Sequence, residues 1–226
     1  MTLLYGNGGM FFDENNTPVF NNEQGVQVVQ WMKDMIDQGL VNPSSIAAVE
    51  EDVRNVFSQG QAAFASNWNY MYNLTQDPNE SQVVGEVGMA IMPAFSRGLA
   101  ADVESATING SMGYSVTAGS EHPDEAWQFI EFLTSEPIQI EFSAHQLPIW
   151  KAAFETQELI DLNPVTTPMF ALQFPWARVR PKVPYYNEAS RIVQVALQEA
   201  LTGSATPQEA LDDAVDNIEE TAEMYE

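Results

Sequence analysis

The stretch Phe57-Ser-Gln-Gly-Gln-Ala-Ala-Phe-Ala-Ser-Asn-Trp-Asn-Tyr-Met-Tyr72 constrains this chain more than any other. It reads as a helix end, a stop at Gly60, and a short small-residue strand over Gln61 to Ala65. A break at Ser66-Asn67 then delivers Trp68, Tyr70 and Tyr72 where a new helix begins. Glycine just past a helix supplies the left-handed backbone of a C-cap, and Ser or Asn ahead of the next helix accepts its orphan N–H groups. Helix, stop, strand and then an aromatic ring is the order found in open α/β sheets, whose ligand crevice lies at the carboxyl ends of the strands. A plain core role for Trp68 fits the same pattern, so the rest of the chain has to decide.

Upstream, Met10-Phe-Phe12 and Pro18-Val-Phe20 flank Asp13-Glu-Asn-Asn-Thr17, which predicts a β-hairpin around an Asx-rich turn. Asp13, Asn15 and Thr17 imitate the start of a calcium loop. The positions for its turn Gly and distal Glu hold Pro18 and Gln24, so the hairpin reading stands. Asn21 or Asn22 caps a helix with the apolar stripe Val26, Val29, Met32, Met35 and Ile36, ending at Gly39. A second helix runs from about Ala47 to Gln59. Alternation at Val87, Met89 and Ile91 predicts a strand, and Ile108 to Thr117 a glycine turn into another. Pro123 starts a helix with Ala126, Phe129, Ile130 and Leu133 on one side, and Ser135-Glu-Pro137 opens the next. Five prolines interrupt a long connection from Pro164 to Pro184. Ala189 through Leu201 then keep helical spacing up to Gly203. Thr206-Pro-Gln-Glu209 is a capping box that opens the closing helix. Strands alternating with helices predict the α/β class.

Charge narrows the partners. The 226 residues carry 32 acidic side chains against eight basic ones, a formal net charge of −24. Such a surface repels nucleic acid and anionic lipid, which excludes both as partners, and it fits adaptation to high salt. No cysteine is present, so disulfides and thiol chemistry are out. No apolar run approaches the ~20 residues of a membrane span, and the start of the chain lacks a signal-peptide pattern. That start reads as a helix end and glycine turn, as in a piece of something longer. His122 and His145 are the only histidines, too few for a zinc site of nitrogen and sulfur ligands. No nucleophile elbow, Walker loop or dinucleotide fingerprint occurs, so neither a metal nor a cofactor is expected. A carboxylate pair for glycoside hydrolysis stays open on counting alone. Asn-x-Ser/Thr sequons stand at Asn15, Asn73, Asn79 and Asn109.

Several segments, in order, resemble one family. They are Tyr5-Gly-Asn-Gly-Gly-Met-Phe-Phe12, the helix closing in Gly39-Leu-Val41, and Phe57-Ser-Gln-Gly-Gln-Ala-Ala-Phe64 with its aromatic. Next come Ser120-Glu-His-Pro-Asp-Glu-Ala-Trp127, Phe132-Leu-Thr-Ser135, Arg180-Pro-Lys-Val-Pro-Tyr-Tyr186 and Leu201-Thr-Gly203 with Glu209-Ala-Leu211. Together they resemble the extracellular solute-binding proteins of ABC sugar importers, of the kind that bind maltose or trehalose. The resemblance implies a periplasmic-binding-protein-like type II fold of two lobes closing on a mono- or oligosaccharide. It also implies a membrane permease as partner and an extracytoplasmic location, periplasmic or at the cell surface. Residues 1–98 and 150–226 would form most of the second lobe. Residues 99–149 would be a return segment of the first lobe, whose main body lies outside this chain.

On that resemblance the stacking aromatic is Trp68, with Asn67 beside it. Gly8 and Gly9 form a turn approaching the sugar, and Gly110, Ser111 and Met112 a second one, with Met112 where relatives carry a ring. Tyr185 or Tyr186 supplies a further aromatic. A ring face buries the C–H side of a pyranose while amides and hydroxyls pair its OH groups. The implied protein is a binder; the alternative is a carbohydrate hydrolase using a carboxylate pair beside the same rings.

Overall fold

The helices and strands follow from local signals that recur along the chain. The computed structural model describes residues 1–225. In order they form α1 (Thr2–Gly6), α2 (Glu23–Asp37), α3 (Glu50–Ser58), α4 (Tyr70–Thr75), α5 (Ser96–Leu99), β1 (Thr107–Ile108) and α6 (Pro123–Thr134). Then come α7 (Glu136–Glu141), α8 (Gln157–Leu162), α9 (Thr166–Gln173), β2 (Ala177–Arg178), α10 (Tyr186–Thr202) and α11 (Pro207–Glu223).

One C-terminal device stops four of these helices. After α1 the Gly9 N–H donates to the Leu4 carbonyl and the Gly8 N–H to that of Tyr5, both at 3.0 Å. Crossed bonds of this kind make a Schellman motif, which needs a left-handed residue, and Gly8 has φ +75°. The same pair of bonds closes α2 at Gly39, α3 at Gly60 and α10 at Gly203. At the other ends, Asn22 accepts from the Gly25 N–H to open α2, and the Asp52 carboxylate accepts from the Val49 N–H ahead of α3. The expected capping box of α11 is formed. The Glu209 N–H donates to Thr206 Oγ1, and the Thr206 N–H donates to the Glu209 carboxylate at 3.0 Å.

Packing divides the chain into two units. The first contains Met1–Ala48, Met92–Asn109 and the chain from Trp176 onward; the second contains Val49–Ile91 and Gly110–Pro175. The chain therefore crosses between units four times, against two crossings in a division at 98/99 and 149/150.

The core of the first unit lies where the hairpin of α10 and α11 meets α2. Ala189, Ala196 and Ala200 of α10 face Ala210, Leu211, Ala214, Val215 and Ile218 of α11 in one buried cluster. Alanines at this seam let the two helices approach closely, and Ile218 and Leu211 fill the layer beside them. Burying each such aliphatic side chain is worth about 1.5–3 kcal/mol. Phe11 and Phe20 stack into the same cluster with ring centroids 4.5 Å apart. The predicted hairpin between them is present as a turn with one antiparallel bridge, Phe12 to Pro18. Asp13 Oδ1 accepts from the N–H groups of Asn15 and Thr17, so its carboxylate serves the turn. In the second unit a small cluster of Ile140, Ala153 and Leu159 is buried.

Three predicted strands are absent. Residues 61–65 and 87–91, and the stretch up to Thr117 after the glycine turn, have no ladder partner among the described residues. A strand exists through a neighbour's N–H and C=O groups, and Gln-Ala-Ala-Phe-Ala has little β preference of its own. The pairing that does form is parallel, β1 with β2, with Thr107 opposite Ala177 and Ile108 opposite Arg178. The proline-rich connection also holds more structure than expected, since α8 and α9 lie within or beside it.

Candidate functional site

The sequence-derived site residues fall into two groups, one in each unit. In the second unit, Asn67 is half-buried and uses both ends of its side-chain amide on backbone groups. Its Nδ2 donates to the Glu50 carbonyl at 2.8 Å, and its Oδ1 accepts from the Trp68 N–H at 2.7 Å. This Asn therefore sets the direction of Trp68, which remains 46% exposed. Gly110 lies against the Trp68 ring. A Cβ built there would sit 2.5 Å from Trp68 Cη2 and 2.9 Å from Cζ3. Only glycine lets backbone approach a ring that closely. Trp68 and Gly110 are thus brought together as a ring resting on a peptide surface. Ser111 and Met112 follow on an exposed segment, with Met112 97% exposed.

In the first unit the glycine turn and the tyrosines behave differently from one another. Gly8 is exposed, but Gly9 is buried, and a Cβ on it would run into Leu4 Cδ1. The turn is therefore the C-cap of α1 first and an open surface only at Gly8. Tyr185 is 7% exposed and packs in the core, its ring against those of Phe12 and Tyr225. Its neighbour Tyr186 is half-buried at the cluster's edge. Adjacent residues at the start of α10 point in different directions, so only one of the two can sit outside the core.

Two residues not expected from the sequence join Tyr186. Tyr5 of α1 packs against the same cluster. Burial pushes its phenol above the ordinary value, while the Arg178 guanidinium pulls it back and Tyr186 adds to the push. Arg178 and Tyr186 thus each lie within electrostatic reach of Tyr5. Arg178 is held at its backbone by the β1–β2 register and by the Asn109 N–H, which donates to its carbonyl at 2.8 Å. One sequence signal could have found this neighbourhood. Acidic residues occur throughout, yet residues 53–76 and 162–187 contain none. Those runs carry Trp68 in one case and Arg178, Tyr185 and Tyr186 in the other.

Among the described residues, no group of three or more His, Cys, Asp or Glu is placed to hold a metal ion. No helix of the described residues is long and apolar enough to cross a membrane.

Comparison with known proteins gives this geometry a context. Residues 1–140 match the family described as bacterial extracellular solute-binding protein. A probable ABC transporter-binding protein of Deinococcus radiodurans is 30% identical over 213 residues, covering 90% of this chain and 48% of that protein. A putative binding protein of Brucella abortus is 22% identical, covering 93% of this chain and 49% of its own length. The chain therefore spans about half the length of the curated relatives it matches. Among solved structures, maltose-bound MalE3 of T. maritima superposes with a TM-score of 0.83 at 28% identity, over 96% of this chain and 55% of that one. An ABC transporter solute-binding protein of Agrobacterium radiobacter K84, in complex with ribitol, gives 0.78 at 26%, over 98% and 55%. The fold is that of the type II periplasmic-binding-like proteins, and the family is one of transporter binding components, not of enzymes. With a match over more than half its length, this chain belongs to the bacterial extracellular solute-binding proteins.

Proposed function

We propose that the full-length protein is the carbohydrate-binding component of an ABC-type importer, delivering a sugar or polyol to a membrane permease outside the cytoplasm. The observation that carries this reading is Trp68, an exposed indole seated on the bare backbone of Gly110. A ring held in that way offers an apolar plane to the C–H face of a sugar, while polar groups nearby take its hydroxyls. The maltose and ribitol in the related structures are ligands of the same chemistry. Ser111 and Met112, on the exposed segment after Gly110, are proposed to border that plane. Gly8, the open glycine of the first turn, and Tyr186 are proposed as further ligand-binding residues in their own right, with Asn67 supporting Trp68, and Gly9 and Tyr185 supporting the other two. The assignment of 1–98 and 150–226 to one lobe and 99–149 to the other, with closure on the solute, belongs to the same proposal.

Calorimetry on the full-length protein with maltose and ribitol tests it. Binding is expected, with the ligand recovered intact afterwards, and Trp68→Ala should lose about 1–3 kcal/mol, the range for truncating an aromatic anchor. Unchanged affinity in that variant removes Trp68 from the site; release of cleaved sugar removes the binding-protein reading.

A further inference from the structure

We infer that Asn15, at the tip of the turn between Phe12 and Pro18, is an N-glycosylation acceptor, and that the sequons at Asn73, Asn79 and Asn109 are not. The inference rests on the location outside the cytoplasm proposed above, because sequons of this type are modified in secreted proteins.

A transferase needs two side chains of one sequon at once. The asparagine amide accepts the sugar, and the hydroxyl two residues on is part of what the enzyme reads, so both must stand in solvent. Asn15, Asn16 and Thr17 are all exposed. The turn that carries them is fixed from within. Asp13 Oδ1 accepts from the Asn15 N–H at 2.9 Å and from the Thr17 N–H at 2.8 Å, and the Asp13 N–H donates to the Thr17 carbonyl at 2.9 Å. Asn16, between acceptor and hydroxyl, is left-handed at φ +62°, a conformation that Asn adopts more readily than most side chains. Below the turn, the Phe12–Pro18 bridge and the bond from the Val19 N–H to the Phe11 carbonyl, at 3.0 Å, close the two arms. Phe11 and Phe20 anchor those arms in the core of the first unit. A short, braced loop therefore presents the whole sequon to solvent.

The other three sequons lack this arrangement. In α4, Asn73 is half-buried and its Nδ2 donates to the Ala144 carbonyl. Thr75 in the same sequon is buried, and its Oγ1 donates to the Tyr72 carbonyl at 2.6 Å. Asn79 is exposed, but Ser81 is half-buried and its hydroxyl is spent on the backbone. It donates to the Ser58 carbonyl at 3.4 Å and accepts from the Val83 N–H at 3.1 Å. The Asn109 N–H donates to the Arg178 carbonyl at 2.8 Å, and Gly110 lies against the Trp68 ring. A segment pinned in these ways cannot be drawn into an enzyme's cleft without losing the contacts that pin it.

The donor is a lipid-diphosphate-linked oligosaccharide, presented by a membrane oligosaccharyltransferase. The Asn15 amide nitrogen forms a bond to the anomeric carbon of the first sugar. The bond from that carbon to the diphosphate oxygen breaks, and the amide gives up one proton as the lipid diphosphate leaves.

The test is mass spectrometry on the full-length protein, taken separately from the cytoplasmic and the external or cell-surface fractions of its source organism. Trypsin separates the sequons, because Lys33, Arg54, Arg97 and Lys151 are successive cleavage sites. The peptide ending at Lys33 holds Asn15, the one ending at Arg97 holds Asn73 and Asn79, and the one ending at Lys151 holds Asn109. In the external fraction, the first should carry a mass excess of whole sugar residues, with fragmentation placing it on Asn15. The other two should be unmodified. Asn15→Gln and Thr17→Ala should each abolish the excess, and Thr17→Ser should retain it. Circular dichroism melting of each variant confirms that the fold is kept. A bare Lys33 peptide in protein recovered outside the cytoplasm would overturn this inference and leave the location standing, and so would an excess that survives Thr17→Ala. Sugar on Asn73, Asn79 or Asn109 overturns the selection among sequons. Protein confined to the cytoplasm overturns the location and this inference with it.

Discussion

Trp68 and Gly110 give the most direct test at the scale of single residues. A Cβ at 110 would overlap the Trp68 ring, so any side chain there must displace the ring or the peptide. Gly110→Ala is expected to reduce sugar affinity about as much as Trp68→Ala, by ~1–3 kcal/mol, while the melting temperature stays nearly constant. Equal affinity in wild type and Gly110→Ala, measured by calorimetry, would show that the ring's seat does not matter. The two tyrosines separate core from site in the same way. Tyr185→Ala removes a buried ring and should cost on the order of 3 kcal/mol in chemical denaturation. Tyr186→Ala should spare stability and affect binding. Trp68 was legible in the sequence because cap signals on either side fixed its place. Tyr5 and Arg178 were not, since about 170 residues separate them and the pairing that fixes Arg178 opposite Ile108 joins strands of only two residues. Nor does sequence spacing reveal that Asn67 spends one polar atom on the Trp68 N–H and the other on the Glu50 carbonyl at the start of α3.

Helix ends were the most readable elements. Gly39, Gly60 and Gly203 were identified as stops from their place after apolar stripes, and each is left-handed at φ +66°, +71° and +81°. Strands were the least readable, because a period of two says which face is apolar but not whether a partner strand exists. That is why residues 61–65 and 87–91 mislead while the α11 capping box does not. The box also predicts a pH dependence. Hydrogen bonds from Thr206, through side chain and backbone, hold the Glu209 carboxyl below its ordinary value. The Thr17 and Asn15 N–H groups do the same for Asp13 in the hairpin turn. A carboxyl with a depressed folded value contributes fully above the ordinary carboxylate range, about pH 4. That contribution is lost as pH falls through the folded value. Thermal melts of Glu209→Gln and wild type should therefore differ at neutral pH and converge in acid. A constant difference across that range would show that the Thr206–Glu209 bonds do not set the acid limb.

At the scale of the whole molecule, net charge and exposed apolar surface oppose each other, and salt decides between them. A charge of −24 repels itself within one chain and between chains. The repulsion reaches ~10 Å at 0.1 M salt and ~3 Å at 1 M. Screening therefore favours the compact state, and the melting temperature should climb steeply with KCl. The same screening removes what keeps two chains apart. In α6, Trp127, Phe129 and Phe132 are each more than half exposed, and no residue of the helix is buried. Apolar area of that kind drives association once charge no longer opposes it. Light scattering on these 226 residues is expected to show monomer at 0.1 M KCl and a growing associated fraction at 1–2 M. Phe129→Ser with Phe132→Ser should reduce the associated fraction, yet leave the salt dependence of melting intact, because the two effects arise from different groups. A melting temperature that is flat in salt would remove the charge argument. Association unaffected by the double variant would place the contact away from α6. If stability rises with salt while the protein stays monomeric throughout, the acidic surface governs solubility at every salt concentration, and the rings of α6 do not drive association.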